Sequence, residues 1–209
     1  MQTLQQRQTD ISIIVPVYNL EKYIEPLLDS LKAQELGPYT MEVIMVLNNC
    51  TDHSQDVIRG SGLDCTIVNC SKQGIGPARN MGFDLSSGEF VWFIDGDDWL
   101  TTPTAVREVL DAMHTHGHNM IRIPFTSNGF GGSWYSMVWQ YVFRRDYVDG
   151  IRYTDRMPGE DGDYMDAVFE KAGRTRNYYN RMPHLNRALY FYNYPREGSV
   201  MYKFFGRDK

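Results

Sequence analysis

Three aspartates directly follow an apolar run in the segment VWFIDGDDWL, residues 91–100. Side chains two residues apart in an extended chain point to the same side, so Asp95 and Asp97 can face one cation, and Gly96 permits a tight approach. Carboxylate oxygens suit Mg²⁺ and Mn²⁺, and an ion held by so few protein groups keeps positions open for phosphate oxygens. The segment therefore predicts a Mn²⁺ or Mg²⁺ site that also receives a phosphate compound. The alternative is a solvated turn that caps the following helix.

A second acidic group, which includes Glu160 and Asp161, lies in MPGEDGDYMDAVFEKAG, residues 157–173. The pattern predicts a helix that begins near these acids, where carboxylates complement the helix dipole and need no further role. A carboxylate that points into a cleft is instead suited to act as a general base. The residue types alone leave both interpretations open.

Arg196 follows Pro195 within YFYNYPREGSVM, residues 190–201. The alternating aromatic residues predict a strand, and the proline constrains the turn that presents the arginine. A guanidinium presented in this way suits a phosphate group, with which it forms paired hydrogen bonds. The alternative is a surface arginine without a ligand.

Alternating strands and helices must position these residues. Strands are predicted at 11–19, 42–47, 65–70, 89–95 and 120–125, and helices at 20–34, 73–88 and 101–117. This alternation indicates an α/β fold with a single, doubly wound, mainly parallel, Rossmann-like sheet. Such sheets bind ligands at the carboxyl ends of their strands, and polar residues stand at those ends here. After residue 125 the alternation stops.

The composition is that of a globular chain of 209 residues with 42% hydrophobic residues. No stretch approaches the roughly 20 apolar residues of a membrane helix, and the N-terminus lacks a signal-peptide pattern. We therefore expect a soluble cytoplasmic protein without an integral membrane segment. Its three cysteines are an odd number without metal-type spacing, which favours reduced thiols.

Charge is unevenly distributed along the chain, whose net charge is −5. Residues 171–209 carry nine basic residues against two acidic ones, together with many aromatic residues. A basic, aromatic tail on an acidic body predicts either contact with an anionic partner or packing against the body itself. A nucleic acid or a lipid phosphate would suit the first interpretation.

Taken together, these segments resemble the family 2 glycosyltransferases, which are inverting enzymes of the GT-A fold. ISIIVPVYNLEKYIEPLLDSL is similar to the opening strand and helix of the family, GIGPARNMG to its glycine-flanked Ala-Arg-Asn segment, and FIDGDDWL to its metal motif. GED and YPREGS resemble its base motif and its C-terminal Arg-x-x-Ser segment. The resemblance covers about residues 11–200 and rests on the order of the motifs.

The resemblance implies a reaction and a role for each matching residue. The donor would be a nucleoside-diphosphate sugar, and one sugar would move to an acceptor hydroxyl. Asp161, beside Glu160, would be the base, and Asp97 or Asp98 would ligate the metal. The remaining residues would bind the donor: Pro16, Tyr18 and Asn19 at the base, Arg79 at the base or phosphates, Asp95 at the ribose or the metal, and Arg196 at the diphosphate.

One departure from the family concerns the nucleotide. Leu47 and Asn48, in LNNCTD, replace the paired aspartates that usually read uracil. The amide oxygen of Asn48 can still accept a hydrogen bond from a ring N–H, but it brings no charge. A UDP-sugar is the expected donor, with guanosine and thymidine donors as alternatives.

The expected organisation is a single domain over residues 1–209. Residues 11–125 would bind the nucleotide sugar, and residues 126–209 would form a compact acceptor-binding half with the basic aromatic tail. The acceptor could be a glycan, a lipid-linked sugar, a protein or a modified nucleic acid, and a homodimer is compatible with the sequence. A nucleotidyltransferase and a catalytically silent sugar-nucleotide-binding module are the alternative functions.

Overall fold

The computed structural model describes residues 9–129, 137–156, 158–173 and 183–194. Four strands and four helices alternate along residues 11–116, and a second set of elements completes the fold. The first set is β1 Ile11–Val17, α1 Glu25–Lys32, β2 Met41–Asn48, α2 Ser54–Gly60, β3 Thr66–Cys70, α3 Ile75–Leu85, β4 Phe90–Phe93 and α4 Ala105–His116. The second set comprises β5 Trp99–Leu100, β6 Met120–Arg122, β7 Phe125–Ser127, β8 Tyr141–Arg144, α5 Arg145–Val148, α6 Glu160–Lys171 and β9 Tyr190–Tyr192.

Six strands form the main sheet in the order β3-β2-β1-β4-β8-β6. The first four are parallel, and β8 runs antiparallel to both of its neighbours. All seven residues of β1 are buried, because the strand is central and both of its faces are covered. The α/β fold with a mainly parallel sheet is therefore confirmed, and the carboxyl ends of β1, β2, β3 and β4 share one edge.

A second, three-stranded sheet has the order β5-β9-β7. β5 follows the acidic turn directly, and β9 pairs with it between Trp99 and Phe191. The small sheet therefore attaches a late part of the chain to the segment that carries Asp95, Asp97 and Asp98.

Three details differ from the sequence predictions. The helix predicted at 20–34 is shorter, since α1 begins at Glu25 with Pro26 in its first turn, where a missing N–H costs nothing. The strand predicted at 120–125 is divided at Pro124 between β6 and β7, which lie in different sheets. The sequence also gave no sign that β8 would enter the main sheet.

The insertion of β8 joins the two proposed halves of the chain within one sheet. β8 comes from beyond residue 125, yet it lies between β4 and β6.

Within the described ranges, no helix has both the length and the apolar character needed to cross a membrane.

Candidate active site

The acidic segment forms a tight turn at the end of β4. The backbone N–H of Asp98 donates to the carbonyl oxygen of Asp95 at 3.1 Å and closes the turn. A Cβ at Gly96 would lie 2.5 Å from Cδ1 of Leu20, so glycine permits the close approach of the turn to the chain that follows β1. The glycine thus serves contact within the protein.

Asp98 points into the protein, away from the open edge of the sheet. Its side chain is buried, accepting a hydrogen bond from the Tyr190 hydroxyl at 2.5 Å and another from the backbone N–H of Asn193 at 2.8 Å. Burial, reinforced by the neighbouring charges of Asp97 and Asp95, raises the pKa of Asp98 well above its usual value. These contacts favour Asp97 over Asp98 as the predicted metal ligand.

Asp97 is half-buried in the same turn. No group of three or more His, Cys, Asp or Glu side chains that could hold a metal occurs within the ranges that the structure describes. Asp97 nevertheless offers hard carboxylate oxygens, and Mg²⁺ is commonly bound through one or two carboxylates plus substrate phosphates. The residues present therefore fit a Mn²⁺ or Mg²⁺ ion whose coordination is completed by a diphosphate.

Arg79 connects the acidic turn to the second acidic group. Nη2 of Arg79 lies 2.6 Å from Oδ1 of Asp95, and Nη1 lies 2.5 Å from Oδ1 of Asp161. The arginine side chain is only 1% exposed, whereas each of the two aspartate side chains is 23% exposed. The family resemblance implies that Arg79 contacts the nucleotide. In the structure its guanidinium lies between the two carboxylates.

Asp161 lies in the first turn of α6, with its carboxyl group held at both oxygens. Oδ2 accepts a hydrogen bond from the backbone N–H of Val138 at 3.2 Å, and Arg79 binds Oδ1. Burial raises the pKa of Asp161 to about 6, against the lowering effect of Arg79. Glu160 instead accepts from the N–H of Gly159 at the start of the helix, at 3.0 Å. Asp161 is thus the better placed of the two acids to act as a base.

The residue after Arg79 fixes another part of the site. The Asn80 side chain accepts from the N–H of Tyr153 at 2.9 Å and donates to its carbonyl oxygen at 3.0 Å. This paired contact holds the segment that precedes α6. Neither this role of Asn80 nor that of Tyr190 was predicted, although Asn80 lies in the quoted GIGPARNMG segment.

The donor residues predicted on the loop after β1 lie at the shared edge. Pro16 is buried in the strand, whereas Tyr18 is 54% exposed. Asn19 adopts a left-handed backbone conformation with φ 51°, which asparagine tolerates, and its side-chain oxygen accepts from the N–H of Thr51 at 2.8 Å. The loops after β1 and β2 are therefore tied together.

Asn48, which is expected to contact the nucleobase, forms hydrogen bonds within the protein. Its amide nitrogen donates to the carbonyl oxygens of Cys70 and Lys72, and its amide oxygen accepts from the N–H of Gly74 at 2.9 Å. The side chain is buried at 4% exposure. Asn48 thus holds the loop that leads into α3.

A cavity of about 240 Å³ opens beside this loop, at the carboxyl ends of β2 and β3. Its lining residues include the amide-bearing Asn49, Gln55 and Asn69, the cysteines Cys50 and Cys70, and the acidic Asp52. Amides both donate and accept hydrogen bonds, which suits the edge of a nucleobase. Arg196, predicted to bind the diphosphate, lies outside the described residues.

A comparison with protein families covers all of the described site residues from Pro16 to Asp161. The family model described as glycosyl transferase family 2 matches residues 12–182. The chain belongs to glycosyl transferase family 2. The match spans the three segments that supply Arg79, the acidic turn and Asp161.

Two curated relatives illustrate how the chain compares with longer proteins. The poly(ribitol-phosphate) beta-N-acetylglucosaminyltransferase TarS of Staphylococcus aureus is 35% identical over 97 residues, which cover 44% of this chain and 17% of TarS. The glycosyltransferase GlyA of Streptococcus pneumoniae is 25% identical over 226 residues, covering 91% of this chain and 31% of GlyA. The chain therefore corresponds to less than a third of the length of each.

Solved structures share the fold over most of the chain. TarS in complex with UDP-GlcNAc has a TM-score of 0.78 at 24% identity, covering 92% of this chain and 60% of that one. The mannosyltransferase PcManGT of Pyrobaculum calidifontis, in complex with GDP-Man and Mn²⁺, has a TM-score of 0.69 at 15% identity, covering 92% and 59%. At these identities the likeness establishes the GT-A fold.

Proposed function

We propose that this chain transfers one sugar from a nucleoside-diphosphate sugar, in the first place a UDP-sugar, to an acceptor hydroxyl with inversion at the anomeric carbon. The observation that carries the proposal is the placement of Asp161. Its carboxyl group, with a pKa of about 6, is linked through Arg79 to Asp95, in the same turn as the candidate metal ligand Asp97. A base and a diphosphate site on one sheet edge are what such a transfer requires.

The donor would lie along the carboxyl ends of the parallel strands. Its base would enter the cavity lined by Asn49, Gln55 and Asn69. Tyr18, which the family resemblance places at the base, is exposed on the loop after β1. Solved structures that share the fold contain UDP-GlcNAc in one case and GDP-Man in another. The nucleotide is therefore left to experiment, because Leu47 and the internally bonded Asn48 supply no uracil-reading carboxylate.

Asp97 would hold a Mn²⁺ or Mg²⁺ ion together with the diphosphate. When bound, such an ion supplies positive charge that stabilises the leaving diphosphate. Asp98 keeps the turn in place through Tyr190, and Asp95 is kept in place by Arg79. We retain Arg196 as the proposed second cation at the diphosphate.

Asp161 would act on the opposite face of the sugar, as the general base. An oxygen–carbon bond forms between the acceptor hydroxyl and the anomeric carbon as the bond from that carbon to the diphosphate oxygen breaks. The acceptor proton passes to Asp161, and the bonding electrons leave with the diphosphate. A pKa near 6 leaves most of the carboxyl group ionised at neutral pH and is closer to the ideal for a base than that of an ordinary aspartate.

The acceptor remains the least defined partner. Relatives named poly(ribitol-phosphate) glycosyltransferases favour a hydroxyl-rich polymer as the first acceptor to test. A lipid-linked sugar, a protein and a modified nucleic acid are the further classes.

A donor screen followed by product analysis tests the proposal. A true donor should raise the melting temperature in the presence of Mn²⁺, because a ligand that binds only the folded state stabilises it. Incubation with that donor should then release a nucleoside diphosphate. Release of pyrophosphate from a nucleoside triphosphate would identify a nucleotidyltransferase, and a donor that binds yet stays intact with every acceptor would identify a silent binding module.

A further inference from the structure

Protein groups enclose the guanidinium of Arg79. Two of its nitrogens bind Asp95 and Asp161, and its Cζ lies 5.3 Å from the centre of the Tyr153 ring. Its Nε is buried without a hydrogen-bond partner among the residues that the structure describes. The side chain of Arg79 is only 1% exposed, so a nucleotide could reach the guanidinium only if the groups that cover it moved.

The helix that carries Arg79 also fixes the segment on which the guanidinium rests. Asn80 pairs with both backbone groups of Tyr153. One turn earlier, a Cβ at Gly76 would lie 2.7 Å from the carbonyl oxygen of Thr154, so α3 and this segment are in close backbone contact. Arg79, Tyr153 and Asp161 thus have little freedom to move relative to one another.

We propose that Arg79 is a positioning residue, which holds Asp161 at a fixed place relative to Asp95 and so joins the base to the donor side of the site. Asn80 supports it by anchoring Tyr153 beneath the guanidinium. The inference rests on the proposed function of Asp161 as the base. It gives Arg79 a role other than the nucleotide contact that the family resemblance implies.

The chemistry of the side chain explains why an arginine is needed. Its planar fork presents two nitrogens in fixed directions, so one cation can bridge two carboxylates that would otherwise repel each other. The single ammonium group of lysine cannot reproduce both contacts in the same geometry. Arg79→Lys should therefore retain the charge and lose the alignment.

A measurement of nucleotide affinity distinguishes a positioning role of Arg79 from a direct contact with the nucleotide. The probe is UDP or GDP with Mn²⁺, whichever binds the wild-type chain, and the measurement is calorimetry. A positioning residue predicts that Arg79→Lys lowers kcat about 100-fold while the nucleotide Kd stays within about threefold, since small misplacements of reacting groups have effects of this size. A Kd weakened tenfold or more, with kcat retained at saturation, would overturn the proposal.

A double variant guards against misfolding, because Arg79→Gln leaves two half-buried carboxylates, those of Asp95 and Asp161, without their cation. Arg79→Gln combined with Asp161→Asn removes one of those charges and is compared with Asp161→Asn alone. Equal nucleotide affinity of the two supports positioning, and a clear loss in the double variant refutes it. Full transfer activity in Asp161→Asn would instead defeat the proposed base, and the affinity comparison would still decide the role of Arg79.

Thermal unfolding gives a test that needs no nucleotide. If Arg79 holds Asp161, the change in melting temperature that Asp161→Asn causes should be more positive in the Arg79→Gln background than in the wild type. Equal shifts in both backgrounds would show that the residues are uncoupled and would contradict the proposal. Arg152 and Asp84, an exposed pair with 3.0 Å between Nη2 and Oδ1, provide the matched control cycle, where little coupling is expected.

Discussion

The hydroxyl of Tyr190 lies 2.5 Å from Oδ2 of Asp98, where it donates a hydrogen bond to the carboxyl group. The hydroxyl oxygen of Tyr190 also accepts a hydrogen bond from the backbone N–H of Asp95 at 3.3 Å. One tyrosine from β9 therefore fixes both ends of the acidic turn. Because Asp98 is bound within the fold, this contact favours Asp97 over Asp98 as the proposed metal ligand.

Removal of the Tyr190 hydroxyl should weaken the fold and the site together. Tyr190→Phe leaves Asp98 with one hydrogen-bond donor fewer and deprives Asp95 of an acceptor, which should lower the free energy of unfolding by about 1–3 kcal/mol. Urea denaturation measures the loss. Tyr18→Phe, at an exposed ring, is the control and should change stability by less than about 0.5 kcal/mol. Equal stability of the two variants would show that the hydrogen bond between Tyr190 and Asp98 does not stabilise the fold.

Asp97 and Asp98 should respond differently to substitution. Asp97→Asn should keep the stability of the wild type but lose donor turnover by about 100- to 1,000-fold, because the carboxylate for the metal is gone. Asp98→Ala should lower the free energy of unfolding by roughly 3 kcal/mol, since the buried Tyr190 hydroxyl and the partly buried N–H of Asn193 lose their acceptor. Mn²⁺ titrations of donor turnover, paired with denaturation curves, distinguish them. The reverse pattern would place the metal on Asp98.

The sequence allowed some of this site to be predicted and concealed the rest. Asp95 and Asp97 could be placed at a strand end, because an apolar run followed by acids is a local pattern. The inward rotation of Asp98 depends on Tyr190, which lies far along the chain and meets the turn only in the folded protein. Local patterns carry no such information.

The same reason explains the differences elsewhere. The parallel strands β1, β2 and β4 are buried on both faces and appear in the sequence as apolar runs, so their positions could be predicted. β8 is four residues long and lies in a stretch without alternation, and its place in the sheet depends on pairing with β4 and β6. The amide of Asn48 was predicted to contact the nucleobase from its residue type alone. Its hydrogen bonds to the loop before α3 depend on residues more than 20 positions away and could not be predicted locally.

The pH dependence of turnover should report Asp161. Since burial raises its pKa to about 6 and the base acts as a carboxylate, kcat should fall about tenfold per pH unit below pH 6 and stay level above it. Glu160→Gln should keep the shape of this profile and move its midpoint to lower pH, because the charge of Glu160 contributes to the raised pKa of Asp161. A rate that stays constant down to pH 4.5 would exclude Asp161 as the base.

The same pKa predicts the opposite trend for stability. The folded protein binds the proton of the Asp161 carboxyl group more tightly than the unfolded chain does. The stabilisation from this protonation is therefore fully present below about pH 4 and is lost as pH rises through 6. Its size is at most about 3 kcal/mol, which corresponds to a shift of roughly two pKa units. Denaturation of Asp161→Asn across pH 4–7 should show a flatter profile than that of the wild type. Identical slopes would mean that another group is responsible.

Contact between α3 and the segment before α6 should be sensitive to a single methyl group. Gly76→Ala places a Cβ 2.7 Å from the carbonyl oxygen of Thr154, so backbone must move, with a loss of about 1–3 kcal/mol and reduced kcat. Gly60→Ala is the matched control, because a Cβ there meets nothing within 4 Å. Comparable stability and turnover in both variants would show that this contact does not shape the site.

Sugar transfer by a single displacement, with Asp161 as the base, is tested most directly by the stereochemistry of the product. Proton NMR should follow the anomeric signal when an α-linked nucleotide sugar, identified by the donor screen, is turned over with Mn²⁺. The spectra must be recorded before the released or transferred sugar can equilibrate. We predict that the first product formed has the β configuration and that its formation is lost in Asp161→Asn. A first product that retains the α configuration would contradict the mechanism.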